Sequence, residues 1–321
     1  GASSPRMNVA DLRTKGWEAS VTWGDSFTLA SKPFNYRIMA GIGDNTSKVT
    51  KYDNPNRTLT DPYEGQQLGE IWGYVVDGYF KTDEEARNYK VDQSFVNQMI
   101  NASALDNGLH AGDLKFVDLD GNNKIEQTTS ANDRKDMKVI GNSLPRYNYN
   151  FGISADWYGI DFSVLFQGIG KQNWYPGAET SMFWGPYSRP YASFIPSDFM
   201  SQVWSEENTN AYFPRPRGYV ALGSNRELAV VNTKYLQNLA YCRLKNLSIG
   251  YTLPDKWLSK IGFEKIRVYF SGENLLTFTK LHSDYIDPEQ ASASNSWKTS
   301  KSDANIYPWA KTYSFGVDIT F

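Results

Sequence analysis

The sequence predicts an all-β fold, namely an antiparallel transmembrane β-barrel segment with long extracellular loops. Apolar and polar residues alternate along the last nine residues, 313–321, which end on an aromatic residue. The same alternation recurs in six earlier segments, and the links between segments are alternately short and long. A strand that crosses a bilayer meets lipid on one face and satisfies its backbone through its neighbours, so alternation over about 9–11 residues is expected.

Seven strands follow from this alternation. In chain order they cover residues 17–23, 34–42, 147–157, 160–167, 246–251, 266–271 and 313–321. Only Tyr158-Gly159 separates the third strand from the fourth, which predicts a tight hairpin. The alternation slips around residues 243–245 and leaves open which face carries Cys242.

The links between the strands differ in length in a regular order. They cover about residues 24–33, 44–144, 158–159, 171–238, 253–264 and 275–309. Bacterial outer-membrane barrels have short periplasmic turns and long extracellular loops. If Phe321 lies at the periplasmic side, all three long links fall outside the cell.

The composition is compatible with strands that cross a membrane and not with helices that do so. The chain has 321 residues, 40% of them hydrophobic and 15% aromatic, and no apolar run of about 18 residues. Its ten Trp, 21 Tyr and 17 Phe suit the aromatic girdles of a barrel, but they could equally fill a large soluble β core. The order of the links favours the barrel.

Charge and cysteine content exclude other classes. The net charge of −2 argues against nucleic acid as a partner, and the single cysteine excludes an internal disulfide. The first five residues lack the features of a signal peptide, so we expect residues upstream. Seven strands are also too few for a closed barrel, which takes an even number from about 8 upward. The chain is therefore predicted to be the carboxyl-terminal part of something larger.

Several segments resemble one known family. They are TKGWE at 14–18, EGQQLGEIWGY at 64–74, GDLKFVDLDG at 112–121, IGNSLP at 140–145, FQG at 166–168, GENLL at 272–276 and the terminal strand. In this order, and over almost the whole chain, they resemble the SusC/RagA family of TonB-dependent outer-membrane transporters.

The resemblance implies a 22-stranded barrel with an amino-terminal plug. Residues 1–321 would then be the carboxyl-terminal part of the barrel, without the plug and the first strands. The resemblance also implies nutrient import across the outer membrane of a Gram-negative bacterium, driven by the TonB complex and assisted by a SusD-like lipoprotein that acts as a lid. The substrate would be an oligosaccharide or a peptide, and the many aromatic residues of the loops favour an oligosaccharide. The alternative is a soluble all-β carbohydrate-binding module, in which the apolar rows would pack in a dry core.

The first long link contains a candidate calcium loop. Its ligands would be Asp118, Asp120, Asn122, the Lys124 carbonyl and, folded back, Asp133. Oxygen ligands at alternate positions suit calcium, but an EF-hand has Gly where Asn123 stands and Glu where Thr129 stands. Asn tolerates left-handed backbone geometry, so the first departure is mild. The alternative is a polar turn whose side chains bond their own backbone.

The same link predicts a short helix over residues 82–100. Thr82 precedes three acidic residues, which is typical of a helix amino terminus, and Phe95 and Met99 would share one face. The helix would pack the loop or contact the lid.

The second and third long links supply the remaining candidates. Contacts to substrate or lid are predicted for Trp174, Trp184, Tyr187, Arg215 and Arg217, because exposed aromatic rings and arginines are typical interface anchors. Packing of the loop on itself is the alternative for the aromatic residues. In the third link, Asp284, Asp287 and Glu289 are predicted to be solvated charges.

Catalysis has no sequence support. The chain lacks a Gly-x-Ser-x-Gly elbow, a His-Glu-x-x-His pair and a Walker loop. Only His110 and His282 could act as imidazole bases. The sequence therefore predicts a protein that is not an enzyme.

Overall fold

The computed structural model describes residues 8–96, 108–188, 194–216, 218–223, 226–258, 262–291, 301–302 and 307–321. The strands within these ranges are β1 (Ala10–Leu29), β2 (Lys32–Tyr52), β3 (Glu70–Tyr74), β4 (Val76–Tyr79), β5 (Leu114–Phe116), β6 (Met137–Asn142), β7 (Arg146–Trp157), β8 (Ile160–Lys171), β9 (Asn173–Pro176), β10 (Gln237–Asn238), β11 (Tyr241–Thr252), β12 (Lys265–Thr279), β13 (Lys301–Ser302) and β14 (Thr312–Thr320). The α-helices are α1 (Asp83–Arg87), α2 (Ser181–Trp184) and α3 (Asp255–Leu258), and 3-10 turns lie at Gly185–Tyr187, Phe199–Gln202 and Tyr219–Leu222. None of the described helices has the length and apolar character needed to cross a membrane.

Seven of these strands form one antiparallel sheet in the order β1-β2-β7-β8-β11-β12-β14, which we call the wall. All seven predicted strands are confirmed, and each pairs with its predecessor among them. The first two are longer than predicted, with 20 and 21 residues. The predicted link 24–33 is therefore wrong, since the chain turns at Ala30 and Ser31 alone, both with positive φ. Such two-residue turns match the twist of the strands they join.

The alternation of short and long links is confirmed. The turn at Tyr158 and Gly159 has positive φ at both residues, as a tight hairpin requires. The third short link covers residues 253–264, and the long links cover residues 53–145, 172–240 and 280–311. All three short links lie at one end of the wall and all three long links at the other.

The pairing register of the wall places apolar side chains on one face of the sheet and small hydroxyl side chains on the other. Residues that pair directly project from the same face of a sheet. One row on the first face consists of Tyr36, Ala155, Phe162, Ile249, Phe270 and Phe315. The neighbouring row, on the second face, consists of Arg37, Ser154, Ser163, Ser248, Ser271 and Ser314. We call these faces the apolar face and the hydroxyl face.

The apolar face is open in the part of the chain that the structure describes. Phe151 is 38% exposed, Ile153 is 41% exposed and Phe315 is 83% exposed. No second layer of the described residues covers this face. A soluble module would have to bury these rings in a dry core, so the described fold does not support that alternative.

The long links fold together into a compact lobe at one end of the wall. Its small sheets pair β3 with β6, β4 with β5, and β9 with β10 and β13. The largest side chains with under 2% exposure within it include Trp174, Trp184, Tyr175, Tyr187, Tyr235, Phe80 and Phe116. The lobe therefore has its own hydrophobic core, separate from the apolar face of the wall.

The predicted helix over residues 82–100 is wrong in length. Helix α1 begins as expected, because the Thr82 hydroxyl accepts from the Glu85 backbone N–H at 3.1 Å. It then ends at Arg87, since the backbone of Asp92 exchanges hydrogen bonds with residues 123 and 125 and leaves the helical path. Phe95 packs against the core of the lobe, and Met99 lies outside the described residues.

Candidate functional site

The hydroxyl face of the wall carries polar groups that need water. Arg267 bridges Asp161 at 2.6 Å and Asp318 at 3.3 Å, and these side chains are between 20% and 61% exposed. A recess of about 1000 Å³ at β1, β2, β7 and β8 is lined mainly by residues of this face, among them Glu18 and Gln167. Small hydroxyl groups, half-exposed ion pairs and a broad recess give this face the chemistry of a water-filled passage.

An ion-pair network joins the third long link to the hydroxyl face. Arg243 lies 2.6 Å from Asp287 and 2.6 Å from Glu289, and Lys245 lies 2.8 Å from Glu289. The Arg243 and Asp287 side chains are only 3% and 5% exposed. The prediction that Asp287 and Glu289 are solvated charges is therefore wrong. We call this network the acidic tie.

A bulge in β11 makes the acidic tie possible. The register shifts between Leu244 and Asn246, so Lys245 is an extra residue in the strand. This confirms the slip in the alternation, and the pairing beyond the bulge puts Cys242 on the apolar face and Arg243 on the hydroxyl face. The sequence signalled the bulge but not the partner of the arginine.

The candidate calcium loop forms a tight polar turn. The Asp118 carboxylate accepts from the backbone N–H groups of Gly121 and Asn123, each at 2.7 Å. Asn123 has φ of 62°, which is the left-handed geometry that its replacement of glycine required. The Asn122 side chain accepts from the Lys124 backbone N–H at 2.8 Å. These bonds are what a polar turn needs.

Three carboxylates approach one another in this turn. One oxygen each of Asp118, Asp120 and Asp136 lies within 4.8 Å of the others. Asp133 is exposed and is outside this group, whereas Asp136, which the sequence analysis did not name, is fully buried. Burial, with the charges of Asp120 and Asp118, raises the pKa of Asp136. Among the described residues no Lys or Arg forms an ion pair with these three groups, so the donor set fits a hard cation.

The aromatic candidates of the second long link are buried. Trp174 and Trp184 have no exposed surface, and Tyr187 is 1% exposed. The indole of Trp184 donates to the Gly177 carbonyl at 2.9 Å, and the Tyr187 hydroxyl donates to the Pro214 carbonyl at 2.7 Å. A ring without exposed surface reaches a ligand only if the core opens. Their environment therefore favours the alternative, packing of the loop on itself.

Of the two candidate arginines, the structure describes only Arg215. Arg215 is half-buried, donates to the Ala111 carbonyl at 3.3 Å and lines an open cleft of about 490 Å³ beside Trp204. A contact from Arg215 to substrate or lid stays a prediction. Arg217 lies outside the described residues.

Several known proteins are similar to this chain in sequence. No family model matches the chain. Two receptors of Formosa agariphila, TonB-dependent receptors P3 and P39, are 27% and 25% identical to it over its whole length. The TonB-dependent receptor SusC of Bacteroides thetaiotaomicron is 21% identical over 98% of the chain. The chain spans about 30% of the length of these relatives.

Solved structures share the fold. The RagAB peptide importer in its open-open state matches with a TM-score of 0.64 and 19% identity, over 97% of this chain and 29% of that one. Its closed-closed state matches with a TM-score of 0.60 and 21% identity. The resemblance seen in the sequence is thereby confirmed: over its whole length the chain is similar to TonB-dependent receptors, and the seven-stranded wall shares the fold of the barrel portion of a RagA-like transporter.

Proposed function

We propose that this chain supplies part of the wall and the extracellular lobe of an outer-membrane importer driven by TonB in a Gram-negative bacterium. One observation carries the proposal: the apolar and hydroxyl rows alternate in register across the wall. On β1 the residues of the apolar face from Trp17 to Phe27 are apolar except Asp25, and they cover about 33 Å of strand and, at a tilt of about 40°, about 25 Å of height. An outer-membrane barrel has an apolar band of about this height.

The cargo in this proposal is an oligosaccharide or a peptide. The case for an oligosaccharide depended on exposed aromatic rings, and the burial of Trp174, Trp184 and Tyr187 weakens it. The structurally similar RagAB is a peptide importer, which supports a peptide as the other candidate cargo. In either case the hydroxyl face would line the path of the cargo.

The partners in this proposal are those of the relatives. A SusD-like lipoprotein would cover the lobe, and the plug and the contact with the TonB complex would come from parts of the receptor outside residues 1–321. The relatives are named receptors and importers, so the role proposed here is transport and not catalysis.

Calcium is proposed as a ligand of the polar turn. Asp118, Asp120 and Asp136 would supply carboxylates. By the spacing of a calcium loop, Asn122 and the Lys124 carbonyl would supply neutral oxygens. The proposal is supported by the proximity of three carboxylates that form no ion pair with any Lys or Arg that the structure describes. A bound cation would remove their mutual repulsion and fix the turn to the lobe.

The transport proposal is tested by the solvent that each face meets. Nitroxide labels would be placed at Phe315 and Ile153 on the apolar face and, as matched controls, at Ser163 and Ser271 on the hydroxyl face. The full-length receptor with Cys242 replaced by serine would be reconstituted in vesicles. Oxygen dissolved in lipid should relax the first two labels, and a water-soluble nickel chelate should relax the controls. Equal exposure of both pairs to the chelate would contradict the proposal and revive a soluble module.

A further inference from the structure

Three cations lie on the apolar face of the wall just beyond its apolar band. On β1, residues of odd number from Trp17 to Phe27 project from this face, and no register shift separates them from Lys15 and Arg13. Arg13 pairs directly with Lys48 of β2, so Lys48 shares the face. All three side chains are exposed. We call Arg13, Lys15 and Lys48 the outer cations.

The height of the outer cations matches a lipid headgroup layer. Lys15 lies two residues and Arg13 four residues beyond Trp17, toward the end of the wall that carries the long links. At about 3.3 Å per residue and a tilt of about 40°, they stand about 5 Å and 10 Å above the band. The polar layer on each side of a hydrocarbon core is about 5–8 Å thick. The two side chains therefore bracket the level of lipid phosphates.

The pairing of Arg13 with Lys48 favours an anion between them. Like charges directly opposite each other on neighbouring strands are destabilising. Within the residues that the structure describes, none of the outer cations forms an ion pair. Asp44, on the same face, is 8% exposed and already paired with Arg146. The next pair beyond, Asp11 and Lys51, adds no net charge.

We propose that Arg13, Lys15 and Lys48 bind the phosphate of a lipid in the leaflet on the loop side of the membrane. The inference rests on the proposed membrane position of the wall. An arginine fork and two ammonium groups around one oxyanion give charge-assisted hydrogen bonds, and the adjoining apolar band accommodates the acyl chains of the same molecule. A lipid is favoured over a soluble anion because the cations face the bilayer and not the hydroxyl face.

The test uses the full-length receptor in nanodiscs of phosphatidylcholine. Diphosphorylated lipid A is added as the probe, its dephosphorylated form serves as the ligand control, and native mass spectrometry counts the lipid retained. The variant carries Arg13→Gln, Lys15→Gln and Lys48→Gln. The matched control carries Lys32→Gln, Lys256→Gln and Lys265→Gln, which remove the same charge at the short-link end.

Each cation removed should weaken lipid A binding about fivefold, so the triple variant should bind on the order of a hundredfold more weakly. The control variant should bind like the wild type, and dephosphorylated lipid A should bind as weakly to the wild type as lipid A does to the triple variant. Equal retention of lipid A by the triple variant and the wild type would overturn the inference. Complete displacement of lipid A by inorganic phosphate would identify a free anion as the ligand and overturn the lipid source.

Failure of the proposed function gives a different result. Insertion is scored separately, by flotation of the wild-type receptor with vesicles that lack lipid A. A wild-type receptor that does not float contradicts the proposed membrane position. A receptor that floats but does not bind the lipid phosphate contradicts only the proposed lipid site.

Discussion

Aromatic residues lie on an open face in the wall and inside a closed core in the lobe. In the wall, Phe315 and Phe270 lie side by side across two strands on an open face, with ring centroids 5.2 Å apart. In the lobe, Phe183 and Trp184 meet at 4.8 Å inside a closed core. The apolar surface of the wall is left open by the described residues, whereas the lobe covers its own apolar side chains. Stability in the lobe should therefore respond to cavities and lost partners, and stability in the wall to the polarity of the outward side chain.

The largest effect is expected from a cavity in the lobe. Trp184→Ala should destabilise the lobe by about 3–5 kcal/mol, because a fully buried indole and its hydrogen bond to Gly177 are lost. Hydrogen exchange of residues 172–188 in the full-length receptor measures this loss. Phe315→Ala in the wall is the control and should leave that protection unchanged. Equal loss of protection in both variants would mean that the two regions unfold as one unit.

The Arg243–Asp287 pair of the acidic tie is buried, whereas the Arg267–Asp161 pair of the hydroxyl face has the same length and is partly exposed. Arg243→Met should destabilise the third link by about 3–5 kcal/mol, because Asp287 stays buried without its cation. Arg267→Met removes a partner at the same 2.6 Å from Asp161, where the side chains are partly exposed, and should cost roughly 0–1 kcal/mol. Exchange rates of residues 280–291 and of β12 report the two changes. Similar costs at both sites would show that the tie is as hydrated as the wall.

A charge on either face of the wall should have unequal effects. Val164→Lys places an ammonium group near the middle of the apolar band and should cost about 2–4 kcal/mol in folding into vesicles. Ser163→Lys, one residue away on the hydroxyl face, should cost much less because its side chain meets water. Guanidinium titration of the receptor in vesicles compares the two. A larger cost at Ser163 would reverse the assignment of the faces.

A further effect, which depends on bound calcium, is expected at the polar turn. At calcium concentrations a hundredfold above the dissociation constant, the turn should gain about 2.7 kcal/mol. Because the pKa of Asp136 is raised, protons should begin to displace calcium at a higher pH than an ordinary aspartate would allow. Calorimetric titration over a pH series measures this competition. Asp136→Asn should abolish most of the binding, whereas Asp133→Asn should not. Unchanged affinity in Asp136→Asn would refute the site.

The wall was predictable because its signal is local. Alternation alone located all seven strands, but it underestimated the length of several, for example where Gly24 and Asp25 interrupt the alternation within β1. Pairing with Arg37 and Tyr36 keeps these two residues extended. The sequence pattern could not show that, because the partner lies on the next strand.

The lobe was less predictable because long-range contacts decide its structure. The helix signal at Thr82 was correct for one turn, after which pairing between Asp92 and residues 123–125 took over. Asp136 joins Asp118 from 18 positions away, which is outside the 12-residue loop of an EF-hand. The charges of Asp287 and Glu289 resemble any hydrated loop charge until Arg243 is placed beside them.

The acidic tie also closes the third link at its base. Asp287 accepts from the Trp309 backbone N–H at 3.1 Å while its other oxygen holds Arg243, so the two ends of the intervening stretch are fastened to the same point on the wall. Strands β12 and β14 are thus joined across the third link by a contact of one buried carboxylate, and this contact does not depend on the length of chain between Asp287 and Trp309.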